Sequence, residues 1–205
     1  MGMYIAVAII AYFIGSVNFS VIISKKMAGF DLRERGSKNA GTTNMLRTVG
    51  KKAALIVLIC DILKGVIAIL IARLMTSGVN QAIGVQVAAV AVVLGHTFPI
   101  FFGFKGGKGV ATSIGILLMI NWQIGLICIV YGVLILALTR MVSLGSITAA
   151  LLFPVLTIFI SEHYIAQGAG YTVFGIIMAV IILFNHRANI KRLNEGTENR
   201  ISFKQ

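Results

Sequence analysis

The sequence predicts an all-α, polytopic integral membrane protein with seven transmembrane helices, and three observations lead to that fold class. The 205 residues are 58% hydrophobic and 12% charged, with a mean hydropathy of +0.96, whereas a soluble domain carries about 25% charged residues. Several apolar runs approach the length of about 20 residues that spans a bilayer. The basic residues also collect in loops on one side of the predicted helices. We therefore interpret residues 1–205 as a single membrane domain.

The apolar runs define the predicted spans. They cover residues 3–23, 53–75, 82–101, 110–120, 123–139, 142–160 and 170–185. The fourth span is short for a full crossing at about 1.5 Å per residue, and a five-span alternative treats residues 100–139 as partly re-entrant. Seven spans are preferred because the loop charges then agree with one topology.

The loop charges predict the orientation of the chain. Sixteen of the eighteen Lys and Arg residues lie in loops 24–52, 102–109 and 140–141 and in the tail 186–205, and none lies in the opposite loops 76–81, 121–122 and 161–169. This pattern places the N-terminus outside and the C-terminus in the cytoplasm. The first apolar run has no basic residues before it, unlike a secretory signal, so we interpret it as a span. The net charge of +12 does not indicate nucleic-acid binding, because no basic domain stands outside the membrane.

The first basic loop, residues 24–52, is long for a connector in a compact membrane protein. Its centre reads "RGSKNAGTTNMLR", which is rich in Gly, Ser, Thr and Asn. Long loops are usually functional or disordered, and a solvated loop of turn residues is the alternative interpretation. The stretch "NMLRTVG" predicts a short helix that carries Arg47 and is capped by the preceding Thr-Thr-Asn.

The second and third spans contain polar side chains that need partners. Asp61 and Lys64 are spaced i,i+3 on one helical face, and charges at that depth pair or face a cavity. We expect a structural ion pair, with a substrate contact as the alternative. His96, near the end of the third span, is expected to be a hydrogen-bonded packing residue. Cys60 and Cys128 lie in apolar runs and are expected to be core thiols.

The second basic loop, in "FFGFKGGKGVATSIG", contains Lys105, Gly106, Gly107, Lys108 and Gly109. It does not match a P-loop, which requires Ser or Thr after the lysine. Glycines can turn backbone N–H groups inward as an anion nest, and the helix that follows adds its own N-terminal N–H groups. The loop therefore predicts phosphate binding, and a flexible positive-inside loop is the alternative.

The tail begins "FNHRANIKRLNEG", and we expect it to continue the last span without a break. A spacing of three places His186 and Asn189 on one helical face, with Lys191 and Arg192 near the interface. An ordinary basic stop after a span is the alternative interpretation.

Segments 36–47, 105–109 and 186–192 thus offer cations and amide donors on one predicted face. Acids are few there, which suits the binding of an anion, most simply two phosphates. The segments contain no His, Glu and Cys cluster for a metal and no Ser-His-Asp set. The sequence therefore implies no metal and no cofactor.

The order and wording of these stretches resemble the bacterial acyl-phosphate:glycerol-3-phosphate acyltransferases. The matching pieces are "AYFIGSVNFS", "DLRERGSKNAGTTNMLRTVGKK", "DILKG", "LGHTFPIFFGFKGGKGVATSIG", "VSLGSIT" and "HRANIKRLNEG". The resemblance covers most of the chain in order. It implies seven helices in the bacterial cell membrane and an active site at the cytoplasmic face. It also implies that a soluble enzyme supplies the acyl phosphate and is a partner of this chain.

The resemblance implies a role for each matching residue. The family's first motif reads close to G-S-G-N-x-G-A-T-N, and here Lys38 replaces a glycine and Thr42 an alanine. Lys38 therefore either needs a permissive backbone or shifts the turn. The glycine-rich loop would hold a phosphate, and His186 and Ser37 would be catalytic. The residues implied to bind substrate are Ser37, Asn39, Asn44, Arg47, Lys105, Gly106, Gly107, Lys108, Gly109, His186 and Asn189.

The implied reaction transfers an acyl group from acyl phosphate to the 1-hydroxyl of glycerol 3-phosphate, giving 1-acylglycerol 3-phosphate and phosphate. The proton acceptor is either His186 or a substrate phosphate. A covalent acyl-Ser37 is disfavoured because no partner base is evident. A transporter or channel for an anionic phosphate compound is the alternative function, but it predicts polar groups through the full depth of the bundle. A scaffold for soluble lipid-synthesis enzymes would explain the basic face but not the glycine-rich loop.

Overall fold

The computed structural model describes residues 1–164 and 168–201, and every regular element in these ranges is helical. In chain order the helices are α1 (Gly2–Ser16), α2 (Phe19–Ala28), α3 (Thr42–Thr48), α4 (Lys51–Met75), α5 (Gln81–Thr97), α6 (Val110–Ile120), α7 (Trp122–Thr139), α8 (Val142–Tyr164), α9 (Gly168–Asn185) and α10 (Arg187–Asn194). Short 3-10 turns at Leu32–Glu34 and Ile100–Phe102 lie in the two basic loops.

Five segments of the described chain are long and apolar enough to cross a membrane. They are Gly2–Ala28, Lys51–Met75, Gln81–Phe102, Trp122–Thr139 and Val142–Ile160. A sixth is counted if α9 and α10 form one bent span, and α6 is a shorter apolar helix. The prediction of an all-helical chain is confirmed, and the number of seven crossings stays a prediction. Residues 165–167 of the predicted loop 161–169 and residues 202–205 of the tail lie outside the described residues.

The chain forms two compact units. Unit 1, Met1–Ile120, contains α1 to α6, and unit 2, Asn121–Gln205, contains α7 to α10. The interpretation of residues 1–205 as a single domain stays a prediction.

The first predicted span is interrupted, which corrects the expectation of one helix over residues 3–23. Helix α1 ends at Ser16, and α2 begins at Phe19. The side chain of Asn18 caps α2, because its Oδ1 accepts a hydrogen bond from Val21 N at 3.2 Å. Two carbonyls at the end of α1 accept hydrogen bonds from the side chain of Lys64. These partners satisfy backbone groups that an interrupted helix would otherwise leave without partners in an apolar environment.

Helices α4 and α6 approach each other closely in unit 1 through two glycines. A Cβ atom added at Gly65 would collide with the carbonyl oxygen of Thr112, and one added at Gly115 would collide with that of Ile62. Both obstacles are backbone atoms, so a side chain cannot move aside to make room. Small residues at such positions allow helices to pack closely in lipid. This contact holds α6, which begins at the glycine-rich loop, against the long helix α4.

Gly115→Ala is expected to lower the free energy of unfolding by about 1–3 kcal/mol, because the added methyl overpacks the α4–α6 contact. Thermal unfolding of the purified protein in detergent measures the change. Gly170→Ala in α9 is the matched control, since no atom of the described residues lies within 4 Å of a Cβ at that glycine. If both variants unfold at the wild-type temperature, the contact is looser than described.

Unit 2 is built on α8, which packs against both α7 and α9. The ring of Phe153 in α8 contacts those of Tyr171 and Phe174 in α9, with centroids 6.0 Å apart in both pairs. The tail does not continue α9, which corrects the expectation of an unbroken helix. Helix α9 ends at Asn185, and α10 departs from it at an angle of 66°.

Candidate functional site

Asn44 organises the first basic loop in unit 1. Its Nδ2 donates to the carbonyls of Leu32 and Asn39, 3.2 and 3.0 Å away, and lies 3.0 Å from that of Arg35. Its Oδ1 accepts a hydrogen bond from Ser37 N at 2.9 Å. The side chain is buried, and these loop contacts use both ends of its amide. Asn44 therefore shapes the turn that presents Ser37.

The short helix predicted around Arg47 is confirmed as α3, but its predicted cap is wrong. Thr42, Thr43 and Asn44 lie inside the helix, and the N-cap residue is Gly41, which has no side chain to offer. Arg47 is exposed in the last turn. Asn44 does not cap the helix, because its side-chain amide is hydrogen-bonded to carbonyls of the first basic loop.

Lys38 has a φ of +59°, which confirms that it needs a backbone conformation that glycine adopts more easily. Lys38→Gly is therefore expected to raise the free energy of unfolding by up to about 1 kcal/mol, since it removes the steric cost of the left-handed region. Lys26→Gly, at an exposed position in helix α2, should lower it by about 1 kcal/mol. Thermal unfolding of the two variants should show shifts of opposite sign, and a loss of stability in both would contradict the strain at Lys38.

Arg33 links the first basic loop to the second, and the sequence interpretation did not assign it a role. Its guanidinium donates to the carbonyl of Phe102 and lies 3.4 Å from that of Lys105. Asp31 holds it in place, with Oδ2 2.8 Å from the guanidinium. The hydrogen bond from Arg33 holds the pKa of the Asp31 carboxyl well below its usual range. The Asp-x-Arg spacing in "DLRER" is the signal that indicates this pair.

The glycine-rich loop is folded back on the end of α5. Gly106 N donates to Thr97 O at 3.0 Å, and Gly107 N donates to His96 O at 3.1 Å. These two N–H groups are therefore not directed at an anion, which corrects that part of the predicted nest. The first N–H groups of α6 remain as donors of the kind the sequence predicted, since its first intrahelical bond runs from Ser113 N to Gly109 O.

Gly107 brings the two basic loops of unit 1 into direct contact. A Cβ atom at this residue would lie 2.6 Å from the carbonyl oxygen of Ala40 and would collide with the ring of His96. Gly107 and Gly109 are buried, Lys108 between them is half-buried, and Lys105 is exposed. The structure thus joins segments 36–47 and 105–109, as the sequence interpretation required.

The first turn of α6 carries two hydroxyl groups that the sequence interpretation left out. Thr112 Oγ1 and Ser113 Oγ are buried and have no hydrogen-bond partner among the described residues. They directly follow the glycine-rich loop, so they are additional candidates for polar contacts at this end of α6. In the sequence, the indication of this polar position was the pair of hydroxyl residues that follows "KGGKGVA".

Asp61, Lys64 and His96 form a buried cluster in unit 1. Lys64 Nζ lies 2.9 Å from Asp61 Oδ1 and 2.7 Å from His96 Nδ1. The exposed fractions of the three residues are 1%, 3% and 4% in that order. The expected structural ion pair and the expected hydrogen-bonded histidine are both confirmed.

In unit 2, His186 occupies the bend between α9 and α10. Its Nδ1 lies 2.8 Å from the carbonyl oxygen of Ile182, and since a carbonyl only accepts, Nδ1 donates. A neutral ring then has its lone pair on Nε2. His186 is only 2% exposed.

Asn189 belongs to a buried cluster around Glu198. The carboxylate of Glu198 accepts hydrogen bonds from Asn189 Nδ2 at 2.8 Å, Ser143 Oγ at 3.0 Å and Arg192 Nε at 2.9 Å. Burial alone raises the pKa of Glu198, but these three donors together lower it below its usual value. Glu198 therefore ties the tail to the start of α8. The signal available in the sequence was that the basic tail contains only two acids, Glu195 and Glu198.

Glu198→Gln is expected to lower the free energy of unfolding at pH 7 by about 2 kcal/mol, because it removes charge-assisted hydrogen bonds. Since the folded pKa lies below the unfolded one, the wild type holds this stability above the unfolded pKa and loses it as the pH falls through the folded value. When thermal unfolding is compared between pH 7 and a pH below 4, the variant should lose less stability on acidification than the wild type does. Glu195→Gln is the control, because its Lys191 pair is exposed and 3.9 Å apart. Equal losses in both variants would contradict the role of Glu198.

The predicted site residues divide between the two units. Ser37, Asn39, Asn44, Arg47, Lys105, Gly106, Gly107, Lys108 and Gly109 lie in the joined loops of unit 1. His186 and Asn189 lie in unit 2.

Comparison with known proteins gives one consistent result. The family model described as glycerol-3-phosphate acyltransferase matches residues 5–196. A protein of that name from Clostridioides difficile (strain 630) is 42% identical over 98% of this chain and 97% of its own length, and one from Thermoanaerobacter sp. (strain X514) is 44% identical over 96% and 95%. The crystal structure of PlsY, an integral membrane glycerol 3-phosphate acyltransferase, in its glycerol 3-phosphate form has a TM-score of 0.85 at 36% identity. It covers 97% of this chain and 96% of PlsY. Its lysophosphatidic acid form has a TM-score of 0.82.

Proposed function

This chain belongs to the glycerol-3-phosphate acyltransferase family, and on that premise we propose that it transfers a fatty acyl group from acyl phosphate to the 1-hydroxyl of sn-glycerol 3-phosphate. The products are 1-acylglycerol 3-phosphate and inorganic phosphate. The protein is thus a membrane acyltransferase of phospholipid synthesis. The proposal also includes two further points: acyl phosphate is the donor, and a soluble enzyme supplies it.

The observation that carries the proposal is the contact between the two basic loops of unit 1. Gly107 rests against the carbonyl of Ala40, and Arg33 bonds to the carbonyl of Phe102. Ser37 and the two loop lysines are therefore presented by segments that touch each other. Such a surface suits the phosphates of a doubly anionic, water-soluble substrate and of an acyl phosphate.

The reaction needs positioning more than activation. The 1-hydroxyl oxygen attacks the carbonyl carbon of the acyl phosphate, the carbon–oxygen bond to phosphate breaks, and phosphate leaves with the bonding electrons. An acyl phosphate is a mixed anhydride, so the leaving group is already good. Lys105 and Lys108 are assigned to the phosphates, and Ser37 and Arg47 to the orientation of the substrates. Charge stabilisation and orientation by these groups then supply most of the rate.

The hydroxyl proton has two candidate acceptors. His186 is one, because the hydrogen bond from its Nδ1 to Ile182 leaves the lone pair of a neutral ring on Nε2. A phosphate oxygen of the substrate is the other, and it requires no base from the protein. Asn189 is assigned mainly to holding the tail through Glu198, since its amide donates to that carboxylate.

The proposed topology has seven spans in the bacterial plasma membrane, with the N-terminus outside and the basic loops and C-terminus in the cytoplasm. It is supported by the sixteen basic residues on that side. This arrangement keeps the acyl chain in the bilayer while the phosphate groups meet the cations at the interface.

Phosphate release by the purified protein given palmitoyl phosphate and glycerol 3-phosphate tests the proposal. Release should require both substrates, with palmitoyl-CoA inactive as the rival donor. Turnover with the CoA ester alone would keep the reaction and overturn the donor. No turnover with either donor, in protein that shows a cooperative thermal transition, would overturn the function.

A further inference from the structure

The buried ammonium of Lys64 connects three segments of unit 1. It pairs with Asp61 one turn earlier on α4 and lies 3.2 Å from the carbonyl of Gly15 and 3.1 Å from that of Val17. Its fourth neighbour is His96 Nδ1 on α5, at 2.7 Å. Helix α4, the interruption after α1 and the end of α5 are therefore joined at one nitrogen atom.

The distances assign the proton on the histidine ring. An ammonium only donates, so Nδ1 must accept from Lys64, and a neutral ring then has its proton on Nε2. The alternative, a protonated His96 that donates to Asp61, is disfavoured because Nδ1 lies 3.6 Å from Oδ1. The cluster holds one positive and one negative charge, which balance in the apolar interior.

The opposite edge of the His96 ring faces the glycine-rich loop. A Cβ atom at Gly107 would collide with Nε2, and Gly107 N donates to the carbonyl of the same histidine at 3.1 Å. The next residue along α5, Thr97, accepts from Gly106 N at 3.0 Å. His96 is thus in contact with the ion pair on one side and with the loop on the other.

A buried ion pair is a weak source of stability, because apolar residues of similar volume often replace one without loss. Balancing a charge does not require contacts with the carbonyls that end α1 or with a histidine against the loop. The arrangement is better explained by what it positions than by the stability it provides.

We propose that Asp61 and Lys64 are positioning residues for acyl transfer, which act through His96 to hold the glycine-rich loop, residues 105–109, in its phosphate-binding position. This inference rests on the proposed function of the loop. Lys64 fixes the orientation and tautomer of the ring, and the ring and carbonyl of His96 fix Gly107 against Ala40. None of the three side chains needs to touch a substrate.

The double variant Asp61→Leu/Lys64→Met tests the proposal without leaving an unpaired charge. Its unfolding temperature in detergent should fall, because Lys64→Met removes the donor to the carbonyls of Gly15 and Val17, but the transition should stay cooperative. Its kcat with palmitoyl phosphate and glycerol 3-phosphate should fall at least about 10-fold, because a misplaced loop misaligns the reacting groups. A double variant with wild-type kcat and KM would overturn the proposal.

His96→Asn provides a second variant should the double variant fail to fold. The Oδ1 of asparagine can still accept from Lys64, but the shorter side chain no longer fills the space against Gly107. We expect a cooperatively folded protein, a lower kcat and a higher KM for glycerol 3-phosphate. Wild-type kinetics in this variant would also overturn the proposal.

Amide hydrogen exchange measures the local opening of the glycine-rich loop directly, and it does not depend on catalytic turnover. In both variants the amides of Gly106 and Gly107 should exchange at least about 10-fold faster, while those of α8 stay unchanged. Unchanged loop exchange in a folded variant would overturn the positioning role. A wild type that turns over neither donor would instead overturn the proposed function, and the exchange comparison would still test the link from Lys64 to the loop.

Discussion

Lys108→Ala is expected to lower kcat/KM for acyl transfer by about 10²–10³-fold, the loss that follows when one cation that stabilises developing charge is removed. Lys108 lies half-buried between two buried glycines, in the loop that touches the first basic loop. Its ammonium is therefore held by a rigid segment and shielded from part of the solvent, which strengthens its interaction with a phosphate. Phosphate release at varied concentrations of both substrates measures the change.

Two matched variants make this result specific. Lys26→Ala removes the same charge from an exposed position on α2 and should leave kcat/KM within about twofold, since an exposed surface charge is screened. Lys108→Arg keeps the charge but changes its shape, so partial activity is expected. Equal activity in Lys108→Ala and Lys26→Ala would remove this lysine from the site.

Gly107→Ala should nearly abolish acyl transfer and also lower the unfolding temperature. The added methyl would lie 2.6 Å from the carbonyl of Ala40 and 2.8 Å from His96 Cε1. Since the carbonyl belongs to the backbone, the two loops must separate. Overpacking of this kind lowers the free energy of unfolding by about 1–3 kcal/mol, and a shift of about 1 Å in the loop lowers the rate by about 100-fold.

Gly78→Ala is the control for this variant, because a Cβ at Gly78 would have no neighbour within 4 Å in the part of the chain that the structure describes. Kinetics and thermal unfolding of both variants should separate them clearly. Wild-type turnover in Gly107→Ala would mean that the contact between the loops is not required for acyl transfer.

Several features of the fold could be predicted because they depend on local sequence. The apolar runs predicted the helices, since length and hydropathy are properties of a single segment. The spacing of Asp61 and Lys64 predicted their ion pair, because residues three apart face each other on a helix. The replacement of a motif glycine by Lys38 allowed either a permissive backbone or a shifted turn, and the φ of +59° at Lys38 favours the former.

Other features depend on partners that are distant in the sequence. The interruption at Asn18 was missed because its stabilising donor, Lys64, lies 47 residues from Val17. The bend at His186 was missed because a basic helical pattern continues through it. A substrate contact of Asn44 stays a prediction, and the hydrogen bonds from its amide to the carbonyls of Leu32 and Asn39 could not be predicted from the sequence.

The sequence by itself determined the class of protein and most of its helical segments, and it predicted the phosphate-binding motifs, because these follow from composition, periodicity and residue type. Only the tertiary structure decided that Gly107 joins the two basic loops, that Arg33 links them and that His96 stands between the loop and the ion pair of Lys64. The physical reason is that a hydrogen bond or a close backbone contact depends on distances of a few tenths of an ångström between groups far apart in the chain. Packing sets those distances, and no local pattern contains them.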